Sequence, residues 1–141
     1  MTFEKVIKNF GNRALRLKDV QRYLDSGGDV NRRDPKMNWS LLHFAVEDCN
    51  PEIVRFLASR GADLNARDQH GWTPLHWAVE SDIDAAQQEA RRARELPTVK
   101  VLIEHGADTT IRATDGPLPR DIAAAYGLEA LYDSVARPKA A

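Results

Sequence analysis

Apolar residues recur along this chain in short bursts of helical spacing. Breaks rich in glycine and aspartate separate them. Ile53, Val54, Phe56 and Leu57 share one face of a helix predicted to begin at Pro51, and Val99, Val101, Leu102 and Ile103 repeat the arrangement after Pro97. Proline suits a first helical turn, where its missing N–H would find no intrahelical partner. Asn50 is placed to cap the first of these helices. Gly61 and Gly106 follow the bursts and predict left-handed C′ residues. Near the N-terminus, Phe3, Val6, Ile7 and Phe10 predict one helix, and Val20, Tyr23 and Leu24 a second. No burst approaches the roughly 18 apolar residues of a membrane span, and the start lacks the apolar core of a signal peptide. The expectation is a cytoplasmic protein with no membrane partner.

The breaks repeat as faithfully as the bursts. Gly27-Gly28-Asp29-Val30-Asn31 returns 34 residues later as Gly61-Ala62-Asp63-Leu64-Asn65, and after a further 45 as Gly106-Ala107-Asp108-Thr109-Thr110. A second landmark keeps step. Ser40-Leu41-Leu42-His43-Phe44-Ala45 returns after 33 residues as Thr73-Pro74-Leu75-His76-Trp77-Ala78, and after 45 more as Leu118-Pro119-Arg120-Asp121-Ile122-Ala123. Two unlike motifs sharing one period mark a tandem repeat.

The run from Asp68 to Ala78, with Gly61-Ala62-Asp63-Leu64-Asn65-Ala66 before it, resembles the opening and close of ankyrin repeats, over about residues 12–135. The resemblance implies an all-α repeat solenoid in one domain, residues 1–141, with β-hairpin fingers joining antiparallel helix pairs. About four units are expected: an N-terminal cap at 1–33, then 34–67, 68–112, and a C-terminal cap at 113–135. Residues 136–141 read as a tail.

Two departures stand out. The third unit carries about 12 extra residues near 83–94. They are strong helix formers, with Ile83, Ala86, Ala90 and Ala93 as an apolar stripe. An extended or added helix stopping before Pro97 is expected, roughly 18 Å long at about 1.5 Å per residue. Asp34-Pro35-Lys36-Met37-Asn38 has one residue more than the finger at Asp68 and lacks its glycine, which predicts a distorted turn.

Composition excludes more than it assigns. Hydrophobic residues are 43% and charged residues 29%, and net charge is -1, so a packed core is expected and a phosphate-neutralising nucleic-acid binder is not. Cys49 is the single cysteine, so no internal disulfide forms. No metal, nucleotide or hydrolase motif occurs, so neither cofactor nor enzymatic activity is expected. His43 and His76 are the tempting pair; in the family the motif histidine bonds backbone groups of adjoining loops. Cys49 has no evident base beside it and reads as inert. The Arg91-Arg92-x-Arg94 run could attract phosphates or an acidic partner, but its flanking Glu89 and Glu95 favour a solvated helix face.

The resemblance implies a protein-binding module, and a monomer is expected. Trp39 and Trp72 share a finger position that usually faces the concave groove, and tryptophan is enriched at hot spots. Each indole equally could pack on its neighbouring finger. Arg33, Arg67 and Arg112 form a second ladder, and Glu47 and Glu80, joined by Asp48, a third. With Met37, Gln69, His70 and Trp77 these make up the implied partner-binding set. Small ankyrin proteins of bacteria are sometimes inhibitors or immunity partners of toxins, a role the resemblance leaves open. Self-association through the inserted helix is the remaining alternative.

Overall fold

Short helices dictate the architecture, because none of six to nine residues would persist alone and each must pack to survive. A computed structural model describes residues 1–8, 15–90 and 93–137. Phe10, Arg91, Arg92 and the tail beyond 137 lie outside the described residues. Eight helices are seen among those described: α1 (Phe3–Lys8), α2 (Leu17–Asp25), α3 (Leu41–Glu47), α4 (Pro51–Ser59), α5 (Pro74–Gln88), α6 (Pro97–Glu104), α7 (Pro119–Ala125) and α8 (Glu129–Ala136). They pair as α1–α2, α3–α4, α5–α6 and α7–α8. Helices α3, α5 and α7 stack into one layer, and α4, α6 and α8 into a second. In α3, Leu41 to Val46 are buried without a break, as befits a helix with neighbours on every side.

Local signals place the ends. Asn50 Oδ1 accepts the Ile53 N–H at 3.1 Å, capping α4. Gly61 and Gly106 end α4 and α6 with φ of 86° and 94°, which any Cβ would strain. Ser40 and Thr73 start α3 and α5, and the motif histidines complete their caps. His43 Nδ1 accepts the Ser40 N–H at 3.1 Å, and His76 Nδ1 the Thr73 N–H at 3.1 Å. In α7 the carboxylate of Asp121 does the same for Leu118, at 2.9 Å.

The fingers are simpler than hairpins. Asp34 N–H reaches Trp39 O (2.8 Å), Asp68 N–H reaches Trp72 O (2.9 Å), and Ala113 N–H reaches Pro117 O (3.0 Å). A second bond tightens each turn, from Asn38, Gly71 and Gly116 N–H to Asp34, Asp68 and Ala113 O (3.0 Å each), and no strand is seen among the described residues. The extra residue at 34–38 is absorbed without losing the closure. Asn38 takes the left-handed turn that Gly71 supplies in the next finger, with φ of 56° against 73°. Asp34 Oδ1 also holds the Trp39 N–H at 2.9 Å, while its Oδ2 holds that of Lys36 at 3.1 Å.

The insertion is half helix. Helix α5 runs 15 residues where α3 has seven. It ends at Gln88, before a turn in which Ala90 has φ of 54°. Residues 93–96 are irregular, so the helix expected as far as 94 stops short. The stripe is broken accordingly: Ile83, Ala86 and Ala93 are buried, but Ala90 is exposed, and Arg94 sits on irregular chain rather than a helix face. Asp82 of α5 meets the chain where it resumes as helix. Its Oδ2 accepts the N–H groups of Thr98 (3.0 Å) and Val99 (3.1 Å), the donors exposed at the start of α6. Leu96, the residue before α6, has no side chain that can cap it. The lengthened α5 therefore carries the cap, and the chain turns back to meet it.

Candidate functional site

Three ladders tie neighbouring units together along the finger side, and they decide which side chains remain available. His76 Nδ1 accepts from Thr73, so the ring proton sits on Nε2, which donates to Pro117 O at 2.8 Å in the next finger. His43 is arranged alike, but its Nε2 has no hydrogen-bond partner among the described residues. Burial pushes the His43 pKa down to about 4, although the Asp68 carboxylate works against it. Burial lowers His76 as well, with the Pro117 carbonyl opposing. Both rings are fully buried, neutral struts.

The arginine ladder is largely structural. Arg33 Nη1 donates to Asn38 O (3.0 Å) and Arg67 O (2.7 Å), and Arg67 Nη2 donates to Arg112 O (2.9 Å). Arg112 pairs with Asp121 at 3.8 Å. The guanidinium groups of Arg33 and Arg67 thus tie one finger loop to the next, while that of Arg112 lies exposed beside a carboxylate. Asn31 and Asn65, which close the repeated Gly-x-Asp-x-Asn landmark, form a parallel ladder by accepting the Asp63 (2.7 Å) and Asp108 (2.8 Å) N–H groups. Their signal was the recurrence of Asn after Asp-x.

The aromatic residues converge on one carboxylate. Asp68 Oδ2 accepts the indole N–H of Trp39 at 3.1 Å and of Trp77 at 2.7 Å. Its Oδ1 accepts the backbone N–H of His70 (2.8 Å) and Trp72 (3.0 Å). Burial works to raise the Asp68 pKa, but these bonds outweigh it and the net shift is downward. Trp39 stacks near His43 (6.1 Å, 11°) and meets Trp77 edge-on at 5.2 Å. It is 6% exposed, so it is a core residue here and offers a partner little surface, contrary to its expected place facing the groove.

Trp72 differs. It is half-buried, with its ring 4.7 Å from that of Trp77. In the fourth unit, Ala113 stands where Asp68 stands in the third, and Ile122 where Trp77 stands. Trp39 is covered by a carboxylate and an indole of the following unit; Trp72 meets smaller residues that leave it open. The result is a hollow of about 430 Å³ lined by Gln69, His70, Trp72, Trp77, Ala113, Thr114 and Gly116. Gly71 makes the close approach behind it possible, since a Cβ there would lie 2.6 Å from Thr114 N. Gln69 and His70 are exposed on its rim, and Gln69 N–H donates to Met37 O at 3.4 Å, which joins the fingers. Met37 itself is half-buried against the core.

An acidic strip continues from this hollow along α5. Trp77, Glu80 and Asp84 recur at i, i+3 and i+7 and stay accessible on one face, while Ser81, Asp82 and Ile83 turn inward. Glu47 joins the strip from α3, its Oε2 accepting from Ser81 Oγ at 3.2 Å. Burial raises the Glu47 pKa, with Asp84, Glu80 and Asp48 adding to it despite the Ser81 bond. Burial and then Asp84 raise that of Glu80. Asp48 is engaged elsewhere: its Oδ2 accepts the Leu15 N–H at 2.6 Å, tying the first helix pair to the second. Cys49 lies among these acids. Burial first, then the charges of Asp82, Glu47, Asp48 and Asp84, push its thiol up to about 12. Its Sγ donates to Ser81 O at 2.9 Å, so it is a weak nucleophile. Among the described residues, no group of three or more His, Cys, Asp or Glu is arranged to hold a metal ion, and no helix is long and apolar enough to cross a membrane.

Gln69, His70, Trp72, Trp77, Glu47 and Glu80 of the expected set thus border a continuous surface. Arg33, Arg67, Arg112 and Asp48 serve the scaffold first. A family model described as ankyrin repeats in three copies matches residues 12–113. The chain is similar to human protein phosphatase 1 regulatory subunit 27, 41% identical over 59% of this chain and 46% of that protein. It is similar to mouse ankyrin repeat and SOCS box protein 6, 35% identical over 66% of this chain and 20% of that protein. It also resembles human palmitoyltransferase ZDHHC13, 36% identical over 66% of this chain but only 13% of that one.

Proposed function

The chain belongs to the ankyrin-repeat family, and we propose that it is a non-catalytic binding module that grips a partner protein through its concave face and finger edge. Ankyrin repeats are generally protein–protein interaction modules. The observation that carries the reading here is the hollow at Trp72 and Trp77. Two half-buried indoles meet small residues of the following unit beside exposed Gln69 and His70. An apolar side chain of a partner would displace water from that hollow and cover both rings. The strip of Glu47, Glu80 and Asp84 beside it favours a partner that places a lysine or arginine next to that apolar tip.

The mechanism is rigid display. The hydrogen-bonded ladders order the surface before binding, so association costs little conformational entropy. Affinity capture of the partner, followed by Kd measurements with Trp72→Ala, Gln69→Ala and His70→Ala, tests the reading. Weakening concentrated at Trp72 is expected. Unchanged Kd in all three, with helicity intact, removes the hollow from the interface.

A further inference from the structure

We propose that the outer face of the stack carries a second docking groove, which takes an acidic amphipathic helix of a partner protein. This inference does not rest on the finger-side reading. The groove, of about 1040 Å³, runs between α4, α6 and α8 and is bounded at one end by residues 94–97. Its apolar wall is Leu96, Val101, Ile103, Leu131 and Val135. Leu96 and Val101 are buried beneath it, while Ile103, Leu131 and Val135 keep part of their surface open.

Charge decides the occupant. Arg55, Arg94, Lys100 and Arg137 stand exposed on the rim, against two acids, Glu95 and Glu104. Apart from the field of Arg137 on Asp133, no side-chain ion pair or hydrogen bond ties up these four cations among the described residues. The lengthened α5 and the returning chain place Arg94 and Leu96 at the groove, so the insertion builds part of this surface. An apolar trough rimmed by unpaired cations fits a helix with leucines on one face and glutamates on its flanks. A polyphosphate chain would meet both the apolar wall and the two glutamates, and fits less well. The strip of Glu47, Glu80 and Asp84 on α3 and α5 is acidic and this groove basic, an asymmetry that a net charge of -1 conceals.

The test uses the full chain and a fluorescein-labelled synthetic peptide of about 14 residues, four helical turns, with leucines at i, i+3, i+4 and i+7 and glutamates between. Its control replaces every glutamate by lysine. Anisotropy at low salt should show saturable binding of the glutamate peptide only. Amide shifts in NMR should fall on α6, α8 and residues 94–97. The exposed double variant Arg55→Glu/Lys100→Glu should bind about tenfold more weakly, and Arg22→Glu, on α2, should bind as the wild type does. Four results would overturn the proposal: no binding, equal binding of the lysine peptide, shifts confined to the fingers, or an oligonucleotide taking the same groove more tightly. Light scattering showing a dimer that buries the groove would also overturn it, in favour of a second copy as occupant.

Discussion

At Asp68 a single carboxylate answers four donors, two from indoles and two from the backbone of its own finger. Replacing it by alanine removes the acceptor of two indole N–H groups, one of them on buried Trp39. Hydrogen bonds to a charged acceptor contribute about 1.5–3 kcal/mol each, and their losses overlap at one site. Asp68→Ala should therefore lower stability by roughly 2–4 kcal/mol. Urea unfolding followed by tryptophan fluorescence measures it, and a loss below about 1 kcal/mol would contradict the hub. The histidines add a pH dependence of known sign. His43 has a folded pKa of about 4, below the ordinary value of 6.5, so the unfolded chain binds its proton first. Its contribution is complete above pH 6.5 and is lost as pH falls toward 4. The stability advantage of wild type over His43→Gln should shrink across that window, and the imidazole should stay neutral by NMR down to about pH 4. An advantage that grows on acidification would show the sign to be wrong.

Among the elements, α5 is the one whose length has a visible purpose. It continues past the length of α3 through Asp82, which lies at the start of α6, where Leu96 cannot cap. Burial raises the Asp82 pKa to about 6 despite these bonds, and its Oδ1 has no partner among the described residues. The carboxylate thus accepts a desolvation penalty to satisfy two helix-end donors. Asp82→Ala should cost about 1–2 kcal/mol, the usual effect of losing a cap. Hydrogen exchange at the Thr98 and Val99 amides should speed up more than exchange in α3. Uniform exchange across both helices would rule out a local cap. The composition of residues 83–94 predicted helix, and it is helix as far as Gln88. It did not reveal the return at Ala90, because the demand that turns the chain comes from α6, a tertiary partner that local propensity does not register.

For the molecule as a whole, the repeat was legible because two motifs share one period, and helix pairs, glycine stops and histidine caps follow from them. The exposure of equivalent residues was not. Trp39 and Trp72 look alike in the period, yet one is core and the other lines a hollow, because Asp68 follows the first and Ala113 the second. Burial in a solenoid is set by the next unit, so a residue must be read against its neighbour one repeat on. The arginine ladder likewise has a role that its period does not display, as Arg33 and Arg67 donate to carbonyls of the next loop and Arg112 pairs with Asp121. With an acidic strip beside the hollow, partner affinity should also fall as salt rises from about 0.05 to 0.5 M; an affinity indifferent to salt would exclude the strip from the interface. The central claim, that the finger-side hollow grips a protein, is tested most directly by the Kd of the captured partner for Trp72→Ala. Truncating a hot-spot tryptophan should weaken binding by about 2 kcal/mol or more, some thirtyfold. An unchanged Kd in a variant with wild-type helicity would contradict it.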